Sequence, residues 1–170
     1  MEIKLTVNGI ELNVGVELTT NIASYINDNE VNQEIFHQLA QHSSSAIRKE
    51  IAYKDNISTE TAELLLKDKD STVLMNILRN QVTKELFTDD DFEYFLSFNN
   101  EELISDMIGY LDDYENLSDL NSCYAKIIDL ENNYLTLQIA NNYNTPKKIL
   151  KKLLKHNDPD IVIAAKNSLD

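Results

Sequence analysis

A chain of 170 residues is long enough to bury one core without disulfide or metal staples. Hydrophobic residues at 42% and charged residues at 26% exclude wholesale disorder. The formal net charge of −14 repels phosphate backbones and anionic membrane surfaces, which points away from nucleic acid and membrane and toward a basic protein partner.

The N-terminal stretch IKLTVNGIELNVGVEL predicts a β-hairpin. Ile3, Leu5 and Val7 alternate with polar residues, and Asn8-Gly9 offers the two positive-φ positions of a type I′ turn. An isolated hairpin is marginal in water, so its apolar face is expected against the helices that follow, as a cap on the core. The same stretch lacks the basic start and unbroken apolar run of a secretory signal. No window approaches ~18 consecutive apolar residues, and the expectation is a soluble cytoplasmic protein.

After Thr19-Thr20 the apolar period changes from two to 3.6. Ile22, Tyr25 and Ile26 predict a first short helix, and Val31, Ile35, Phe36, Leu39 and Ala40 a second. Breaks then recur at HSSS, KDNIS, KDKDS, RNQVT, TDDD, FNNEE, YENLS, LENN, YNTP and HNDP, each with a Ser, Thr, Asp or Asn fit to cap a helix. Helices of two to three turns are unstable alone and must draw their order from neighbours.

The breaks have a register. An apolar residue closing one helix is followed by apolar residues eight and twelve places on: Leu39, Ile47, Ile51; Leu65, Val73, Ile77; Phe95, Leu103, Met107; Ile127, Leu135, Ile139; Leu153, Ile161, Ala165. The units start 26, 30, 32 and 26 residues apart. The second and third positions lie one turn apart on a second helix and face the first, so each unit is a helical hairpin. One hairpin cannot bury both faces, and stacked hairpins share a continuous core.

The segments LAQHSSSAIRKEIAYKDNISTETAELL and LQIANNYNTPKKILKKLLKHNDPDIVIAA resemble variant leucine-rich repeats, of the HEAT-like α-solenoid kind. Leu39-Ala40, Ile47-Arg48, Ile51-Ala52, Ile139-Ala140, Thr145-Pro146 and Asp158-Pro159 carry the resemblance, which covers roughly residues 35 to 169. It implies a mainly α fold: a short right-handed superhelix of about five helical hairpins. It implies no activity, and it places Arg48 in a structural pairing with a neighbouring repeat. Residues 1–29 are then a hairpin and short helix capping the core, and residues 30–170 the repeat region of one compact domain, monomeric or weakly dimeric.

Nothing in the chain spells catalysis. His37, His42 and His156 form no zinc spacing, and Cys123, among helix-period apolar residues, is expected buried and reduced. The glycines Gly9, Gly15 and Gly109 make no phosphate loop, and no cofactor or metal is expected. Asp89, Asp90 and Asp91 after Thr88, and Asn99 with Glu102, suit helix first turns and a capping box. Tyr53, Tyr94, Tyr110, Tyr114, Tyr124, Tyr134 and Tyr143 fall late in helices or at turns, where half-exposed rings suit an interface.

Charge carries the functional expectation. Residues 81 to 131 hold 14 acidic side chains against Lys84 and Lys126, whereas residues 132 to 170 hold 3 acidic and 6 basic ones. The expected function is a non-catalytic scaffold that offers Glu93, Glu101, Glu102, Asp106, Asp112, Asp113 and Glu115 to a basic protein, as an immunity protein or antitoxin would. The lysines of KKILKKLLK make a solvated face or an alternative docking surface. The rival expectation is an enzyme of the HEAT-like DNA-glycosylase type, which the acidic middle opposes because that chemistry needs a basic groove.

Overall fold

The computed structural model describes residues 4–7 and 10–169, with the backbone alone for residues 4–7 and 11–13. The chain is mainly helical and divides into two compact units, Met1–Leu86 and Phe87–Asp170. The division between the two units falls where the repeat spacing lengthens from 26 to 30 residues, next to a 3-10 turn at Gln81–Glu85.

In the first unit β1 (Lys4–Val7) and β2 (Ile10–Asn13) pair antiparallel, with Val7 opposite Ile10 and Lys4 opposite Asn13. The expected Asn8-Gly9 turn lies outside the described residues, as do Ile3 and the side chains of Leu5 and Val7. Helix α1 (Val16–Tyr25) begins inside the stretch assigned to the hairpin. Thr19 and Thr20 donate their hydroxyls to the carbonyls of Gly15 and Val16, at 3.1 and 2.8 Å, so this pair sits within the helix and not at its edge. Thr19 and Ala23 face the core, while Tyr25 is exposed, contrary to the expected Ile22–Tyr25–Ile26 face. Val31 and Ile35 are exposed as well, and the core side of α2 (Gln33–Ala40) is Phe36, Leu39 and Ala40.

Helices α3 (Ser45–Ala52), α4 (Thr59–Leu66) and α5 (Ser71–Ile77) complete this unit. Helix α3 packs between α1 and α5, and α2 lies against α4, which gives two layers. The second unit repeats the plan. Its helices are α6 (Asp89–Ser97), α7 (Glu101–Tyr110), α8 (Leu120–Ile128), α9 (Asn133–Asn141), α10 (Lys147–Leu153) and α11 (Pro159–Asn167). Here α9 packs between α7 and α11, and α8 lies against α10.

Every residue of the eight-and-twelve register is buried, none more than 2% exposed. The first of each triplet lies on α2, α4, α6, α8 or α10, and the other two on the following helix, as the spacing requires. The helices run seven to ten residues, short of the ~12–15 at which an isolated helix holds. Burying an Ile or Leu at each position contributes about 1.5 to 3 kcal/mol, and this packing supplies their order.

Side-chain caps start most of the helices: Ser58, Asp70, Thr88, Asn100, Asp119, Asn132 and Asp158 each accept a backbone N–H of the first turn. Thr88 and Asp91 form a reciprocal capping box, which buries the Asp91 carboxylate with its partners. Two expected caps move. Asn99 takes a positive φ of 47°, and Asn100 caps α7. Thr145 donates back to the Ile139 carbonyl at 2.7 Å, closing α9 instead of capping α10, whose N-cap position is held by Pro146.

Among the described residues no helix is long and apolar enough to cross a membrane.

Candidate interaction surface

The expected acidic residues all belong to the second unit. Glu101 and Glu102 occupy the first turn of α7, where the helix dipole favours negative charge. Asp106 follows one turn later, Asp112 and Asp113 sit in the 3-10 turn Leu111–Asp113 beyond the helix, and Glu115 comes next. Glu101 and Asp112 are separated by eleven residues of mostly helical chain, roughly 16 Å at 1.5 Å per residue. The carboxylates therefore line α7 and its ends; they do not converge on one point.

Glu93, Glu101, Glu102, Asp112 and Glu115 are exposed, and Asp106 and Asp113 are half-buried with further interactions of their own. Glu93 and Glu101 also have partners. Glu93 on α6 pairs with Lys126 on α8, and Glu101 accepts a hydrogen bond from the Asn132 side chain at 2.8 Å. Lys126 is held more firmly protonated by Glu93.

Glu93 also borders a crevice of about 260 Å³ whose other carboxylates are Asp89, Asp90 and Asp119. Asp89 accepts the Ser118 backbone N–H at 3.2 Å, and hydrogen bonds from Ser118 hold its carboxyl below the usual range. Cys123 sits in this crevice, 4% exposed, and burial followed by the Asp89 charge pushes its thiol up to about 11. At neutral pH it is a thiol, not a nucleophile. The aspartates here were legible only as helix-start residues, because their spacing in sequence does not reveal that α6 and α8 begin side by side.

Away from the acidic face, equivalent repeat positions perform the same tasks. Arg48 grips Asp68 with Nε and Nη2, at 2.6 and 2.8 Å, and donates Nη1 to the carbonyls of His42 and Ser43. This is the expected pairing between neighbouring repeats. His42, Asp68 and His156 all lie three residues after the first register position, and each accepts the backbone N–H two residues on, from Ser44, Asp70 and Asp158. The two histidines are thus a repeated turn device, a signal visible in the register though not in metal-ligand spacing.

The segments Asn80-Gln-Val-Thr83 and Asn142-Tyr-Asn-Thr145 share a second device. Each Asn donates its amide to the end of the second helix of the preceding pair, to Lys54 O at 2.7 Å and Ile108 O at 2.9 Å. Each Asn also accepts the backbone N–H two residues on. Each Thr donates to the carbonyl six residues back, Ile77 O at 2.8 Å and Ile139 O at 2.7 Å. Ser168 repeats the inter-pair bond to Ala140 O at 2.7 Å.

The tyrosines do not behave as one class. Tyr53, Tyr134 and Tyr143 are exposed, Tyr94 and Tyr110 half-buried, and Tyr114 and Tyr124 buried. Tyr114 stacks on Phe87 with ring centroids 4.2 Å apart, so it is core. On α10 and the two residues after it, the lysines 147, 148, 151, 152 and 155 are exposed and Ile149, Leu150 and Leu153 buried, with Leu154 left at the surface. Among the described residues no group of histidine, cysteine or carboxylate side chains is arranged to hold a metal ion.

Compared with models of known families, with curated proteins and with solved structures, the chain matches none.

Proposed function

We propose that the chain is a non-catalytic, protein-binding scaffold built of α-solenoid repeats, which offers the acidic side of its second unit to a basic protein in the cytoplasm. The mode of action is that of an immunity protein or antitoxin: a compact acidic body covers a basic surface and holds it inactive. The repeat reading, of variant leucine-rich or HEAT-like type, is supported by the buried eight-and-twelve register and by the recurring Asn and Thr bonds.

One observation carries the binding reading. Residues 87 to 131 hold 13 acidic side chains against Lys126 alone, and Glu102, Asp112 and Glu115 lie exposed along α7 and beyond its end. Such a field steers a basic partner and rejects acidic ones. Cys123, whose thiol burial pushes up to about 11, is a protonated thiol at neutral pH.

The test compares the parent protein with a variant bearing Glu101→Gln, Glu102→Gln, Asp112→Asn and Asp113→Asn. Immobilised parent is expected to retain a basic protein from its source cell that the variant loses, while neither binds duplex DNA at low salt. Tight DNA binding by the parent would replace this reading with the glycosylase-type one.

A further inference from the structure

The molecule contains an inter-repeat crevice at two equivalent places in the register, one lined by an arginine and the other by none. Between the first two helical pairs the crevice of about 400 Å³ is lined by Arg48, nine residues after Leu39, whose guanidinium meets Asp68 and the carbonyls of His42 and Ser43. Between the last two pairs the crevice is about 560 Å³. There the residue nine places after Ile127 is Thr136, which keeps its hydroxyl on its own helix, bonded to Asn132 O at 2.9 Å. The position equivalent to Asp68 is His156, and that equivalent to Ser43 is Glu131.

The lining of the second crevice offers several acceptors. Asp158 takes the Asp160 backbone N–H on Oδ1 and the Asn133 amide on Oδ2, which leaves further lone pairs on both oxygens and the Asn133 Oδ1 available. Glu131 adds a second carboxylate, and no lysine or arginine lines the crevice. His156 accepts the Asp158 N–H at Nδ1, so the neutral ring carries its proton on Nε2. Ile128 and Pro159 supply apolar walls. A planar, weakly hydrated cation with a fork of donors fits this lining better than a compact, strongly hydrated ammonium.

We propose that the crevice between the last two helical pairs is a receptor for one guanidinium group, an arginine side chain of the basic partner, seated where the first unit seats its own Arg48. The proposal rests on the acidic-surface reading and gives it a specific anchor.

The test uses the intact ¹⁵N-labelled protein and two capped peptides of equal charge, Arg-Gly-Arg-Gly-Arg-Gly and Lys-Gly-Lys-Gly-Lys-Gly. The arginine peptide is expected to bind at least fivefold more tightly and to shift the resonances of Asn133, His156 and Asp158. Glu131→Gln should remove that preference without moving the unfolding midpoint, and Glu101→Gln with Glu102→Gln should leave the preference intact. Equal binding of the two peptides, or a preference that survives Glu131→Gln, overturns the guanidinium receptor. Shifts confined to residues 101–115 overturn the crevice but leave the acidic-surface reading standing, whereas no shifts anywhere at low salt remove both.

Discussion

The two units solve one packing problem and differ in how they dispose of charge. Both stack second helices in one layer and first helices in another, and each closes one turn with the same Asn and Thr bonds. In the first unit the charge of Arg48 is answered within the molecule by Asp68, both largely out of solvent. In the second, the carboxylates of Glu102, Asp112, Glu115 and Glu131 are exposed. The second unit thus holds its fold with the apolar register and the turn bonds while these carboxylates face solvent.

The largest expected effects test the shared register. Ile77→Ala and Ile139→Ala, at the same repeat position in the two units, should each cost about 2 to 5 kcal/mol because each opens a cavity between helical pairs. Denaturant unfolding that shows either change to be silent would break the equivalence of the units.

Next in size is the difference at the position nine residues into each repeat. Arg48→Ala leaves the largely buried Asp68 carboxylate without its guanidinium and should cost about 3 kcal/mol. Thr136→Val should cost only about 1 kcal/mol, since that hydroxyl serves its own helix. Equal losses at the two sites would mean that the first unit does not depend on its internal ion pair. Asn80→Ala and Asn142→Ala should each remove about 1 to 2 kcal/mol, by similar amounts, as both lose two hydrogen bonds of the same kind.

Acid should separate the units more gently. Burial, with the Arg48 charge adding to it, lowers the pKa of His42. The Thr72 and Ser45 hydroxyls lead in lowering that of Asp70, against an opposing effect of burial. Both groups bind protons more readily when unfolded, so their stabilisation is full above the unfolded pKa, about 6.5 for His and 3.9 for Asp, and is lost as pH falls through the folded values. The first unit's urea midpoint should therefore begin to drop below about pH 6.5, and His42→Gln should flatten that first step. The smallest effect is chemical: Cys123 should react slowly with a thiol reagent at pH 7 in the native state and rapidly once unfolded.

Much of this was legible in the sequence for a physical reason. Core positions on stacked short helices must recur at fixed intervals, so Leu39, Ile47 and Ile51 announce Ile127, Leu135 and Ile139. Arg48 was legible through its place in the repeat. The roles of Asn80, Thr83, Asn142 and Thr145 were not, because Asn and Thr at a helix end suit a cap as well as a bond to the preceding pair. Thr145 shows the ambiguity, reading as a cap and serving as a clasp. The acidic face was legible as composition. Its engaged members were not, since the Glu93–Lys126 pair joins residues 33 apart whose meeting depends on how α6 and α8 pack.

The most direct measurement is the association rate of the captured basic partner with the parent protein and with the four-amide variant at Glu101, Glu102, Asp112 and Asp113, followed from 0.02 to 1 M salt. Screening shortens the reach of charge from about 10 Å at 0.1 M to about 3 Å at 1 M. The parent rate should fall steeply with salt, the variant should start slower and fall less, and both should converge at high salt with unchanged helix content and unfolding. Superimposable salt curves for parent and variant would contradict the account and leave the acidic face a solvated surface without a binding role.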